Sequence, residues 1–114
     1  MSPITTHILD TGAGKPAEGV DTTLELLRDD GTWEEFAHAV TNSDGRIPDL
    51  VSKSEKFGPG VYRLNFDTGA YFRSREEETF YPYVTIVFRV SDAAQHYHVP
   101  LLLNRYGYST YRGS

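Results

Sequence analysis

The chain of 114 residues carries 11 basic and 16 acidic side chains, a formal net charge of 11 minus 16, or −5, and no cysteine. That length is one domain, residues 1–114, with enough chain to bury a single core, and the missing cysteines exclude disulfides, thiolate catalysis and thiolate metal sites. The negative field and the scattered basic residues argue against nucleic acid and anionic lipid as partners, no apolar run approaches the ~20 residues that span a bilayer, and a small molecule or another protein is the expected partner.

The opening MSPITTHILD lacks the basic start and apolar stretch of a secretory signal, so a cytoplasmic protein is expected. Within it TTHILD (5–10) reads as a short strand, and GAGKPAEG (12–19) as a loop by its glycines and proline. VDTTLELLR (20–28) alternates with Val20, Leu24 and Leu26 on one face, and Asp-Gly at 30–31 turns the chain into TWEEFAHAV (32–40). Trp33 and Phe36 have opposite parity there, which predicts a bulge or a strand buried on both sides. TNSDGRIPDL (41–50) is a loop, and GVYRLNFDT (60–68) is a strand with Tyr62, Leu64 and Phe66 against Arg63, Asn65 and Asp67.

TGAYFRSREEE (68–78) is the one helix candidate. Asp67 or Thr68 can cap its start, and the crowded glutamates oppose the helix dipole at its end, so it should be short. YVTIVFRV (83–90), QHYHVPLLL (95–103) and YGYSTYRG (106–113) complete the strands. Val84, Ile86, Phe88 and Val90 share one face of the first of these. Its other face is uncharged until Arg89, which suits pairing with a second copy. The expected fold is all-β: a sandwich of two antiparallel sheets, seven to eight strands in all, with one short helix.

Four places carry candidate chemistry. His7 shares a strand face with Thr5 and Leu9. Arg46, on the SDGR loop, offers a planar cation that suits a carboxylate or urea-like anion through paired hydrogen bonds. His96 and His98 lie two apart on a strand, a spacing that could chelate zinc with His7 or His38 as third ligand. No carboxylate lies nearby in sequence to orient such ligands, so no metal is expected, and His98 is taken as functional with His96 peripheral. The tail places Tyr108, Thr110, Arg112 and Ser114 on one face by strand parity, and Ser109, Tyr111 and Gly113 on the other. Its three tyrosines favour an ordered strand over a disposable end. No nucleophile elbow and no Walker spacing is present.

Together ITTHILDTGAGKPA, DGR, YHVPLLL and GYSTYRGS resemble the transthyretin-like 5-hydroxyisourate hydrolases of urate breakdown, over nearly the whole chain. The Tyr-Arg-Gly-Ser ending is the most specific element; the hormone carrier transthyretin shares the fold but lacks that ending, the two histidines and the arginine. The resemblance implies a transthyretin-like sandwich assembled as a homotetramer, a dimer of dimers with sites in the channel between dimers. It implies His7, Arg46 and His98 as catalytic residues, Ser114 completing the pocket, and Tyr111 and Arg112 in substrate binding. It also implies 5-hydroxyisourate as substrate, hydrolysed without metal or cofactor. A carrier of a small ligand without catalysis is the alternative. One departure stands out: Asn104-Arg105 occupy the place where the family usually has Ser-Pro.

Overall fold

The computed structural model describes residues 2–52 and 56–114. Strict alternation of buried and half-exposed side chains marks β1 (Ile4–Asp10), which sends Ile4, Thr6 and Ile8 inward and Thr5, His7 and Leu9 outward. The chain continues through β2 (Lys15–Pro16), β3 (Asp21–Leu27), β4 (Trp33–Val40), β5 (Gly60–Phe66), helix α1 (Thr68–Ser74), β6 (Val84–Val90), β7 (Tyr97–Asn104) and β8 (Gly107–Thr110). Two four-stranded sheets result, ordered β2-β1-β7-β8 and β4-β3-β5-β6. The expected sandwich, strand number and single helix are all present. One sheet is mixed, however: β1 and β7 run parallel. No hairpin joins these two strands, so nothing forces the antiparallel sense expected throughout.

Between the sheets lie Ile4, Ile8, Leu24, Tyr62, Leu64, Phe66, Val84, Leu101 and Leu103, all essentially solvent-free. Each comes from the face its parity predicts. The Trp33/Phe36 conflict resolves as a bulge: Leu24 pairs with Ala37 and Glu25 with Glu35, leaving Phe36 as the extra residue. Phe36 thereby turns inward, edge-on to Tyr62 at 5.8 Å. Trp33 keeps to the outer face beneath the Arg63 guanidinium, 4.2 Å away.

The helix is shorter than the 68–78 stretch. Asp67 caps it by accepting from the Ala70 N–H at 3.2 Å, and it ends at Ser74, with Glu76 in the left-handed region at φ 58°. The helix is pinned by Tyr71, whose hydroxyl donates to the buried Asp10 carboxylate at 2.8 Å. Burial, aided by the nearby carboxylate, pushes the Tyr71 phenol up to about 12. Asp10 also accepts from the Ala13 N–H at 3.0 Å, so one carboxylate ties helix, strand and loop together.

Replacing Tyr71 with Phe leaves a buried carboxylate oxygen short of a donor, and should cost about 1–3 kcal/mol of stability in urea unfolding. The neutral phenol is favoured in the fold. This contribution is therefore complete below pH ~10, the phenol's ordinary value, and fades as pH rises toward about 12. Equal stability of the Tyr71→Phe and parent chains at pH 7 would show that the link is idle.

Candidate active site

Strand register sets the site before any side chain is considered. In the parallel pair, Thr5 lies beside His98 and His7 beside Pro100. On the far side of β1, residues 45–46 continue the edge that β2 begins: the Ile8 N–H donates to the Gly45 carbonyl at 2.8 Å, and Arg46 bridges antiparallel to His7. On the far side of β7, Gly113 bridges to His98, its N–H donating to the His98 carbonyl at 2.8 Å. Directly paired residues share a sheet face. Arg46 and His7 on one rung, and Thr5, His98 and Gly113 on the next but one, thus share a sheet face, drawn from four segments far apart in sequence.

The loop that delivers Arg46 is fixed by Asn42. Its side-chain carbonyl accepts from the N–H groups of Asp44 at 2.9 Å and Arg46 at 3.0 Å, and its backbone N–H donates to the Arg46 carbonyl at 2.9 Å. This is an Asx-type turn. Gly45 has φ +74°, and a Cβ there would collide with the Ile8 carbonyl, so the SDGR loop needs glycine at that point. Among the described residues the Arg46 side chain makes no ion pair.

These residues border an open cavity of about 530 Å³ whose walls include Thr5, Asn42, Arg46, His96, His98 and Ser114. The His98 ring is held at Nδ1 by the Thr5 hydroxyl at 2.8 Å, and the same hydroxyl lies 2.9 Å from His96 Nε2. The two rings stand 6.3 Å apart and are nearly parallel, at 20°. His98 Nε2 makes no hydrogen bond among the described residues. Burial holds His98 below its ordinary 6.5, the Arg46, His96 and His7 charges lower it further, and a hydrogen bond with Thr5 works in the opposite sense. The ring is accordingly neutral near pH 7, and the fold loses stability as pH falls below 6.5, where the unfolded chain binds the proton first.

The sequence expectations divide here. Arg46, His98 and Ser114 are brought to one cavity, with His7 on the same sheet face. His96, expected to be peripheral, is exposed and borders the same cavity, with its ring 2.9 Å from the Thr5 hydroxyl. His38 sits on β4 in the other sheet, paired with Asp21, and cannot serve as a third ligand beside His98. Tyr111 and Arg112 line a different, smaller hollow of about 290 Å³ between β6 and β8. Arg112 stacks over Tyr97 at 4.5 Å and donates to Gln95 Oε1 at 3.0 Å. Thr110, Tyr111 and Arg112 all border this hollow, so the expected alternation does not separate Tyr111 from its neighbours, and Ser114 joins the histidine cavity.

The pairing of the tail with β7 is interrupted at Pro100. The β7/β8 register that pairs Leu101 with Thr110 and His98 with Gly113 places Pro100 opposite Tyr111. Proline has no N–H to donate there. The ladder lapses, the Thr110 hydroxyl donates to the Pro100 carbonyl at 2.7 Å instead, and pairing resumes at Gly113. A Cβ on Gly113 would lie 2.5 Å from His98 Cδ2, so the glycine of YRGS is what lets the tail close over the ring. Thr5 and Asn42 were missed as site residues. The parity of Thr5 with His7 was the available signal; Asn42 had none beyond its turn chemistry.

Fold and cavity together define a class: a two-sheet sandwich whose outer sheet face carries histidines and an arginine fit for acid–base work. The profile of the HIUase/Transthyretin family matches residues 4–113, and the chain belongs to that family. The 5-hydroxyisourate hydrolase of Mus musculus is 47% identical, with 99% of this chain and 96% of that one covered. The structure of Klebsiella pneumoniae 5-hydroxyisourate hydrolase superposes with a TM-score of 0.84 at 38% identity, covering 97% of this chain and 98% of the other. Sea bream transthyretin, solved in complex with thyroxine, superposes with a TM-score of 0.92 at 33% identity, covering 97% and 94%.

The electrostatics can be checked directly. Arg46→Gln removes the largest charge acting on His98, so the His98 titration midpoint, followed by NMR of its ring Cε1–H, should rise. It should still stay below 6.5, because burial is the greater cause. An unmoved midpoint would mean the guanidinium does not act on this ring.

Proposed function

We propose that the protein hydrolyses 5-hydroxyisourate to 2-oxo-4-hydroxy-4-carboxy-5-ureidoimidazoline, in urate degradation. The observation that carries this reading is an imidazole, His98, held at Nδ1 by Thr5 and, among the described residues, without a hydrogen bond at Nε2, on the wall of a cavity that also holds the Arg46 guanidinium, which makes no ion pair among the described residues. The names of relatives at 44–48% identity support it.

The substrate is a planar oxidised purine, and the reaction opens its six-membered ring at N1–C6. His98 Nε2 takes a proton from water as the water oxygen bonds to C6. Arg46 faces the oxyanion that develops on the C6 oxygen and neutralises it without reorganising. The C6–N1 bond then breaks, and the leaving nitrogen takes up the proton. His7, beside Arg46 on the same face, orients the water or the substrate edge, and the Ser114 hydroxyl hydrogen-bonds the ring. Tyr111 and Arg112 act at one remove, by fixing the path of the tail that brings Gly113 and Ser114 to the cavity.

A carrier role is favoured by the higher TM-score against transthyretin, but fold similarity of this degree is shared by both members of the family. A carrier needs a dry apolar channel; a cavity walled by imidazoles and a guanidinium is built for charge.

The open side of the cavity needs a cover. β6 and β8 are both edge strands, with Val87 and Tyr108 exposed along them and Tyr111 exposed just beyond β8. Such edges suit pairing with a second copy. We place the active form as a homotetramer, a dimer of dimers, with the histidine faces meeting across a central channel.

His98→Ala should lower kcat by ~10²-fold or more, the usual scale for lost acid–base help. The measurement is ultraviolet decay of 5-hydroxyisourate made freshly from urate, less the spontaneous rate; an undiminished rate would move the base elsewhere. Sedimentation equilibrium should return about four times the 12.9 kDa chain mass. A monomer with full activity would sink the tetramer.

A further inference from the structure

We propose that Thr5 and His96 form a proton relay with His98, in which the Thr5 hydroxyl passes protons between the His98 ring in the cavity and the exposed His96 ring at its rim. This rests on the hydrolase reading above, and assigns work to two residues which that mechanism does not use.

The Thr5 hydroxyl has one proton to give and two lone pairs to accept with. Among the described residues the Thr5 hydroxyl has two partners, His98 Nδ1 at 2.8 Å and His96 Nε2 at 2.9 Å. If the hydroxyl gives its proton to one ring, the other ring must give an N–H to the hydroxyl. The tautomers of the two rings are therefore coupled through one oxygen. With His96 Nε2 as acceptor, His98 carries its proton on Nδ1 and presents a bare Nε2, the form a base requires. With His96 as donor, His98 carries its proton on Nε2, the form an acid requires.

The transfer balances. Water gives one proton to His98 Nε2 as its oxygen forms the new C–O bond. His98 Nδ1–H gives its proton to the Thr5 oxygen, and the Thr5 hydroxyl proton passes to His96 Nε2. His98 is left neutral with its proton on Nε2, and His96 holds the positive charge. As the C–N bond breaks, His96 returns a proton through Thr5 to His98 Nδ1 while His98 Nε2–H gives its proton to the leaving nitrogen, so the ring never loses both protons and the starting state is restored. No oxidant or co-reactant is involved.

The surroundings explain why a relay helps. A cation on His98 would face Arg46 from the 42–46 loop and His7 from β1, with Asp44 as the one acidic side chain on the cavity wall among the described residues. His96 is exposed, and its backbone carbonyl lies 3.5 Å from an Arg112 guanidinium nitrogen. Moving the charge one ring outward takes it from a crowded, partly buried position into water, where like charges cost least.

Thr5 is thus a positioning and proton-passing residue rather than one that touches substrate. Thr5→Val keeps the shape and removes the hydroxyl, whereas Thr5→Ser keeps it. On 5-hydroxyisourate, Thr5→Val should lower kcat by ~10-fold to 100-fold with KM within about twofold, and Thr5→Ser should restore kcat to within about threefold of the parent. His96→Gln, at an exposed position that leaves the fold alone, should lower kcat similarly, and the Thr5→Val, His96→Gln pair should be no worse than either alone. The acid limb of the kcat profile should shift in both single variants. Thr5→Val and His96→Gln each within twofold of the parent, or a double variant showing the product of two losses, would overturn the relay.

Nitrogen-15 NMR of the imidazole rings separates this from the hydrolase reading. Thr5→Val should move the His98 Nδ1 and His96 Nε2 resonances together, with no substrate present. Unmoved resonances overturn the relay whatever the activity. A parent chain that fails to turn over 5-hydroxyisourate overturns the hydrolase reading while leaving the ring coupling to be judged on the resonances alone.

Discussion

The parallel pairing of β1 with β7 is the constraint on which the site depends. These strands are about 90 residues apart, and their register puts Thr5 beside His98 with no freedom to slip. A shift of one residue would turn Ile4 and Ile8 out to water and bring Thr5 and His7 into the core. Burying two large aliphatic side chains stabilises by several kcal/mol, on the order of 1.5–3 each, so hydrophobic burial locks the register of the polar face. The imidazole geometry is in this sense a by-product of the core on the other side of the sheet. The neighbouring segments inherit the same lock, because Gly45 and Gly113 are both held by backbone hydrogen bonds to the paired strands.

Much of the fold was legible because period-two alternation is a local signal. β1, β3, β5 and β6 fall where the pattern puts them, and even the Trp33/Phe36 conflict was readable as a bulge. The parallel sense of β1 and β7 was not, since alternation is blind to direction. The two-residue β2 is too short to carry a pattern and hides in a glycine-rich loop. The helix limit at Ser74 is set by Glu76 adopting a left-handed conformation, which residue identity alone does not announce.

The site was legible in part, and the division is physical. His7, Arg46, His98 and Ser114 stand out as residue types with chemistry, and family resemblance grouped them. Thr5 is a common strand residue whose role arises only from sitting across from His98. His96 looked peripheral because an i, i+2 histidine at a strand end is usually a surface group; it is exposed, yet it borders the same cavity, its ring beside the Thr5 hydroxyl. Arg112 looked like pocket furniture because its neighbours in the tail are. The absent N–H of Pro100 breaks the ladder between Thr110 and Gly113, and inside that break the Arg112 side chain turns to Tyr97 and Gln95. Reading YRGS as one functional unit therefore merges two tasks. Arg112 contacts Tyr97 and Gln95 away from the histidines, Gly113 lies against His98, and Ser114 borders the cavity.

The electrostatic arrangement contains an opposition that a base must resolve. Burial and the Arg46 charge keep His98 neutral, which prepares it to accept a proton and at the same time penalises it for having done so. A base depressed too far becomes too weak to deprotonate water. Two features of the structure relax that opposition. On the proposed mechanism, the oxyanion that forms as the proton is taken is itself negative and would face the same guanidinium, so the Arg46 charge that repels imidazolium would be drawn toward the substrate at that moment. On the proposed relay, the Nδ1 contact to the Thr5 hydroxyl in turn gives the ring a second proton path. A neutral resting base and a tolerable protonated state can then coexist in one imidazole. That follows from its place between a charged loop on one side and a hydroxyl leading to water on the other.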